Sequence, residues 1–388
     1  MGLFDNSEFF IYVGILAVPA IVLGLLQRSI KYYGMVVTLI VLWMSFGANT
    51  GGALYLLMYI AFESVLIKSY LMINAKYKRR ASLYWVFLIL AISPLAIYKV
   101  SGLFGYSIFG FLGISYMTFK AVQIVIEIYD DVISEVATMN FIYLCLFFPT
   151  ISSGPIDRSR RFEGDLNRIK TREEYIVSLS AGLTKIVQGA VYKFVIAAIL
   201  YQLMNTYGME STVGSAVVYM YIYGFYLFFD FAGYSLMAVG VSYLFGIEIP
   251  DNFNKPFISK DIKEFWNRWH ITLSYWFRDF IFSRLMVRFI KKNYFKTKLS
   301  RASAAFIINM TIMGVWHGLT SYYICYGMYH GVLLALTEIY QKKSGFHKAH
   351  KKKRWYALLT WLVTFNLIML GFFIFSGRLT ELLLGISK

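Results

Sequence analysis

Trp355-Tyr-Ala-Leu-Leu-Thr-Trp-Leu-Val-Thr-Phe-Asn-Leu-Ile-Met-Leu-Gly-Phe-Phe-Ile-Phe375 holds no charged residue over a length that spans a bilayer as one helix. Working outward, nearly continuous apolar runs recur at Phe9–Leu26, Leu83–Tyr98, Val213–Phe229 and Ala304–Trp316. Several are shorter than a full span and read as tilted, broken or buried segments. With 58% apolar residues, 15% charged residues and a mean hydropathy of +0.58, a soluble fold would leave apolar surface in water. In hydrocarbon the backbone must satisfy its own hydrogen bonds, and the runs lack the strict alternation of an outer-membrane barrel. The expectation is an all-α polytopic integral membrane helical bundle with roughly ten to twelve transmembrane helices.

A net charge of +17 raises a nucleic-acid partner, but the basic residues sit in short loops between apolar runs and read as topology determinants. The clusters are Lys68 to Arg80, Arg158 to Arg172, Arg284 to Arg301 and Lys342 to Arg354, while only Asp5 and Glu8 precede the first run. Those loops are expected to face the cytoplasm, with the N-terminus outside. The first run has no basic segment before it and no small-residue cleavage pattern, so it reads as a retained helix. Cys145 and Cys325 lie in apolar sequence without metal-ligand spacing, which argues against a structural disulfide or a metal site. No Walker lysine loop, strand-borne GxGxxG or GxSxG elbow is present.

One domain is expected over 1–388, with scaffold helices in 1–125, a chemically active core in 126–340, and a basic loop with a C-terminal helix in 341–388. Gly47, Gly51, Gly52 and Ser93-Pro94 mark expected breaks in the scaffold. Beyond it the polar residues become pointed: Glu127, Asp130 and Asp131 follow an apolar run, and Ser152-Ser-Gly-Pro-Ile-Asp-Arg158 opens a charged loop. Asp230 lies amid aromatic and apolar residues in Tyr219–Tyr243, where an ionisable group either serves function or hydrogen-bonds a neighbouring helix.

The segment Asp251-Asn-Phe-Asn-Lys-Pro-Phe-Ile-Ser-Lys-Asp-Ile-Lys-Glu-Phe-Trp-Asn-Arg-Trp-His270 continues Ile-Thr-Leu-Ser-Tyr-Trp-Phe-Arg-Asp279. Ser259 or Asp261 can cap a helix after Pro256. At 100° per residue Asn267, His270, Ser274 and Arg278 share a stripe, with Phe265, Trp266, Trp269, Trp276 and Phe280 on other faces. Such a helix either lies at the membrane interface or re-enters the bundle beside a wet cavity. In Met313-Gly-Val-Trp-His317-Gly-Leu-Thr320 a histidine ends a long apolar run. A buried imidazole stays neutral and can take a proton from a hydroxyl, although a lone helix histidine is more often a packing residue. His330 is a weaker candidate of the same kind, and His347 and His350 read as solvated loop residues.

Together His270 in its charged aromatic segment and His317 some tens of residues later resemble the membrane-bound O-acyltransferase family. Asn252-Phe-Asn-Lys-Pro-Phe257, Phe265-Trp-Asn-Arg-Trp-His270, Ser153-Gly-Pro-Ile-Asp-Arg-Ser-Arg-Arg161 and Gly113-Ile-Ser-Tyr-Met-Thr-Phe-Lys120 are similar to those of members that transfer D-alanine in Gram-positive cell-wall modification. The resemblance covers nearly the whole chain and implies helices around a central funnel with His317 near its floor, in a multi-pass protein of the cell membrane. It implies a donor, D-alanine as the thioester on the phosphopantetheine arm of a D-alanyl carrier protein, and lipoteichoic acid as the eventual acceptor. Other proteins of D-alanylation are implied partners, the lipid bilayer is the setting, and nucleic acid is not a partner. His317 is then the base and His270 orients the donor, hydrogen-bonds the thioester carbonyl or assists proton transfer, with Asn267, Ser274, Arg278 and Asp230 supporting or lining the substrate path and no permanently bound cofactor. Carrier proteins are acidic around the prosthetic group, so the basic loops either steer docking or set topology alone. Two rival readings are an O-acetyltransferase for an exported polysaccharide and a transporter or flippase. Against the latter, no internal repeat or pair of matching broken helices is evident.

Overall fold

The structure is a computed structural model that describes residues 3–4, 7–46, 50–208 and 212–384. Asp5 and Gly47, used above, lie outside the described residues. Among those residues helices dominate and no strand occurs, so the chain is an all-α protein. It packs as two compact units, one of residues 1–190 with 233–251 and one of residues 191–232 with 252–388. This partition by packing differs from the division by polarity at residues 125 and 340.

The first unit contains α1 (Ser7–Leu25), α2 (Lys31–Phe46), α3 (Thr50–Tyr77), α4 (Ala81–Leu103), α5 (Ile114–Tyr129), α6 (Thr138–Leu146), α7 (Ser159–Asn167) and α8 (Arg172–Ala190). α5 is its centre, buried continuously from Tyr116 to Ile128. Lys120 on this helix donates to Leu144 O at 2.8 Å and to Thr150 Oγ1 at 3.3 Å, so its ammonium is bonded inside the unit. Ser93-Pro94 does not break the chain: Pro94 is inside α4, and Ser93 Oγ bonds Leu90 O at 2.8 Å within the same turn. Prolines are tolerated in membrane helices when neighbouring groups re-satisfy the backbone. Gly51 and Gly52 do not break the chain either: both lie in the first turn of α3.

The second unit contains α9 (Ala198–Gly208), most of α10 (Val213–Leu244), α11 (Ile262–Trp266), α12 (Ile271–Phe277), α13 (Ser283–Lys291), α14 (Lys298–His317), α15 (Ser321–Lys343), α16 (Gly345–His350), α17 (Arg354–Phe375) and α18 (Arg378–Leu384). Asp261 caps α11 by accepting from Glu264 N at 2.9 Å, as the sequence suggested. Thr297 and Ser300 close a capping box at the start of α14.

Among the described residues seven elements are long and apolar enough to cross a membrane: α1, α3, α4, the run through α8 and α9, α10, α14 and α17. The protein is a multi-pass membrane protein. The count is below the expected ten to twelve because α2 and α5 have 16 residues each, about 24 Å at 1.5 Å per residue against a hydrocarbon core of about 30 Å. α15 is long enough, yet it ends in Glu338, Lys342 and Lys343.

Candidate active site

The residues Asn252 and Asn254 hold the turn that carries His270. Asn252 O accepts from Ile271 N at 2.9 Å, its Oδ1 accepts from Thr272 Oγ1 at 2.6 Å, and Asn254 N donates to Arg268 O at 3.0 Å. Arg268 Nη1 donates back to Asn254 O at 3.2 Å. Between these anchors the chain turns through Arg268 and Trp269, and His270 is left at φ 44° and ψ 53° as the cap of α12. That left-handed conformation costs a residue with a β-carbon about 1–3 kcal/mol, and histidine is among the types enriched there. The amphipathic helix expected across 261–280 is therefore two short helices and a π turn at Arg278–Phe282. A helical stripe requires unbroken 100° steps, and the turn at 267–270 removes them.

Most of the aromatic coat packs inside the protein, which favours the reading in which the segment enters the bundle over a surface anchor. Phe265, Trp266, Trp269 and Trp276 are buried, and Phe280 is half-buried. Trp269 is surrounded by Phe253, Phe265 and Phe372 at ring distances of 5.1, 5.6 and 4.7 Å. His270 is buried with its ring edge-on to Phe231 at 4.7 Å, and its Nε2 has no hydrogen-bond partner among the described residues. A neutral imidazole offers one donor and one acceptor nitrogen.

His317 is the last residue of α14, in a cage formed by Trp316 at 4.6 Å, Phe375 at 5.1 Å, Tyr323 at 6.1 Å and Tyr326 at 6.2 Å. Glycines bring these rings close. A β-carbon at Gly318 would lie 2.4 Å from the Tyr323 ring, and one at Gly327 would lie 2.3 Å from Met310 O. Small residues let membrane helices approach in this way, and here they pin the end of α14 to the start of α15. Gly327→Val is expected to lower stability by about 1–3 kcal/mol through overpacking. The reduction should appear as a lower melting temperature in detergent, with acyl transfer falling as His317 shifts against Tyr326.

The structure separates the other candidates. Asn267, Ser274 and Arg278 line a cavity of about 250 Å³ with Asn309, Met310 and Met313, and His270 is not among its walls. Ser274 Oγ already donates to Trp269 O at 3.1 Å, while Arg278 pairs with Asp279 at 2.9 Å and covers the Tyr275 ring at 4.0 Å. Asp230 accepts from Lys193 Nζ at 2.7 Å, so it has the neighbouring partner that the packing reading required. His330 is fully buried, with neither ring nitrogen hydrogen-bonded, between Trp266 at 5.2 Å and Tyr326 at 4.7 Å. His347 is not a solvated loop residue. It sits in α16 with Nδ1 2.8 Å from Tyr356 Oη, and His350 Nδ1 lies 2.8 Å from Phe346 O.

Residues 73–379 match the profile of MBOAT, the membrane-bound O-acyltransferase family. The chain belongs to this family. The membrane-bound O-acyltransferase is 41% identical over 390 residues to the teichoic acid D-alanyltransferase of Bacillus subtilis (strain 168), covering 97% of this chain and 98% of that protein. It is 40% identical to the teichoic acid D-alanyltransferase of Streptococcus thermophilus, covering 98% and 96%. A probable alginate O-acetylase of Pseudomonas aeruginosa is 32% identical over 272 residues, covering 69% of this chain and 49% of that protein. The protein is an acyltransferase.

Three features of this acyltransferase were not singled out from the sequence. Asn252 acts through the turn that it clamps, a role that spacing alone does not reveal. Asn309 faces the cavity from the middle of α14, and its Oδ1 has no hydrogen-bond partner among the described residues. Glu63 is fully buried in α3, its carboxylate oxygens without hydrogen-bond partners among the described residues. The signal for Glu63 was present, since a lone acid inside a long apolar helix is itself unusual.

Proposed function

We propose that this protein moves D-alanine from the phosphopantetheine thioester of a carrier protein on the cytoplasmic face to hydroxyl groups of lipoteichoic acid on the outer face. The observation that supports it most is the setting of two histidines, His270 and His317. His270 is buried at a left-handed turn, with its Nε2 lacking a hydrogen-bond partner among the described residues, and His317 ends α14 inside a cage of aromatic rings. The nearly full-length similarity to proteins named teichoic acid D-alanyltransferase supports the choice of acyl group and acceptor.

In this reading His317 takes the proton from the acceptor hydroxyl as its oxygen attacks the thioester carbonyl carbon. The carbonyl electrons move onto oxygen, where His270 donates a hydrogen bond to the oxyanion from its open Nε2. When the intermediate collapses the carbon–sulfur bond breaks, and the departing pantetheine thiolate receives the proton held by His317. The buried Trp269 and Tyr326 rings beside the two histidines limit water there, which protects the thioester from hydrolysis.

O-acetylation of an exported polysaccharide is the second reading, favoured by the alginate O-acetylase similarity over 272 residues. Membranes containing the protein, supplied in parallel with a labelled D-alanyl carrier protein and with a labelled acetyl donor, separate the two. Label should leave the D-alanyl carrier and not the acetyl donor; the reverse pattern would establish the second reading.

The orientation follows from the basic loops. Cysteines placed at Lys78, Arg160, Lys296 and Lys351, after replacement of Cys145 and Cys325, should resist an impermeant thiol reagent in intact cells and react after permeabilisation. Labelling from outside at most of these positions would reverse the orientation.

A further inference from the structure

A groove of about 530 Å³ runs between α15 and α17, beside the turn that leads into α11. Its volume is that of a small-molecule site. The apolar walls are Leu333 and Leu336 from α15 and Leu359, Val363 and Leu367 from α17, and Leu336, Leu359 and Val363 are exposed. From Tyr356 to Leu367 the groove follows α17 for roughly 16 Å at 1.5 Å per residue, about half the hydrocarbon thickness of roughly 30 Å. Both helices enter the groove from the same polar end, where α15 stops at Lys343 and α17 starts at Arg354.

The mouth at that end is cationic. Lys260, His347 and Lys351 line it, and Lys348, Lys352, Lys353 and Arg354 follow or flank them in the chain. Among the described residues none of these lysines, nor Arg354, has an ion pair or a side-chain hydrogen bond. Two acids share the mouth, and both are already engaged. Asp261 accepts from Glu264 N and from Gln341 Nε2, each at 2.9 Å, and Glu264 accepts from Lys260 N and pairs with Arg268, again at 2.9 Å. Arg268 matches Glu264, and Asp261, held only by neutral donors, offsets one cation, so Lys260 and Lys351 with the flanking Lys348, Lys352, Lys353 and Arg354 leave the mouth net positive, while the shaft beyond it is apolar.

We infer that this groove binds an anionic phospholipid, its acyl chain along α15 and α17 and its headgroup phosphate against Lys260, His347 and Lys351. Charge complementarity fixes the headgroup and the apolar shaft fixes the tail. A lipid with this orientation stands parallel to α17, as it does in the leaflet that the basic segment faces. A folded acidic protein would meet the same cations and leave the shaft empty. The site is separate from the histidine pair, since neither His270 nor His317 lines the groove.

The test uses the full-length protein, delipidated in detergent, with binding of phosphatidylglycerol and phosphatidylcholine followed by native mass spectrometry. Each cation close to an anionic headgroup is worth about fivefold, so wild type should prefer phosphatidylglycerol by about 10- to 30-fold. Lys260→Gln with Lys351→Gln should remove that preference. Val363→Trp, and separately Leu336→Trp, should weaken both lipids by filling the shaft. Melting temperatures measured without lipid identify any variant that fails to fold, and the wild-type comparison stands without them. Equal wild-type affinity for the two lipids overturns the inference. So does a preference that survives neutralisation, or one lost on neutralisation while both tryptophan variants bind as wild type. Displacement of the lipid by soluble glycerol phosphate at equal concentration also overturns it, because it removes the shaft from recognition.

Discussion

Replacing His317 with alanine should lower D-alanyl transfer by about 10²- to 10⁴-fold, the range typical of a lost general base. The side chain ends α14 and is caged by rings from Trp316, Tyr323, Tyr326 and Phe375, while Gly318 and Gly327 provide the helix contacts at its base. The helix pairing does not depend on the imidazole, so expression, membrane insertion and carrier binding should persist. Transfer is measured with a labelled D-alanyl carrier protein, and melting temperature is measured on the same sample. Near wild-type transfer by a folded His317→Ala protein removes His317 from the chemistry. A large drop in melting temperature without separate loss of transfer would return it to a packing role.

His270 is expected to behave differently, because its backbone as well as its ring is special. Asparagine readily adopts the left-handed conformation, so His270→Asn should keep the turn clamped by Asn252 and Asn254 while withdrawing the donor from the reacting carbonyl. Transfer should fall about 10²- to 10³-fold, as for a lost oxyanion donor, with little change in melting temperature. His270→Gln reaches farther and should retain part of the hydrogen bonding that His270→Ala abolishes. The expected order of activity is wild type, then Gln, then Asn and Ala together. Equal activity of Gln and Ala would mean that no hydrogen bond from position 270 reaches the substrate.

The membrane fold was legible in the sequence because its cause is local: an apolar run such as Trp355–Phe375 becomes α17 wherever it is packed. The two histidines were legible because a polar group in such a setting is unusual. The stripe through Asn267, His270, Ser274 and Arg278 failed for a non-local reason. Helical periodicity assumes continuous hydrogen bonding, and the chain from Asn252 to Asn254 captures the backbone of Arg268 and Ile271 instead. Asp230 illustrates the same limit, since its partner Lys193 is brought to it only by tertiary packing. His347 was misread because a basic stretch looks like solvated loop, whereas Tyr356 at the start of α17 supplies a partner.

Transfer across the membrane through His317 is tested most directly in sealed vesicles. The protein is reconstituted with its basic loops outward and lipoteichoic acid enclosed, and a labelled D-alanyl carrier protein is added outside only. Label is expected on the enclosed lipoteichoic acid, about 10²- to 10⁴-fold slower with His317→Ala and with the carrier still outside. Label that remains on the carrier with wild-type protein, or that reaches the lumen equally fast with His317→Ala, would contradict the account.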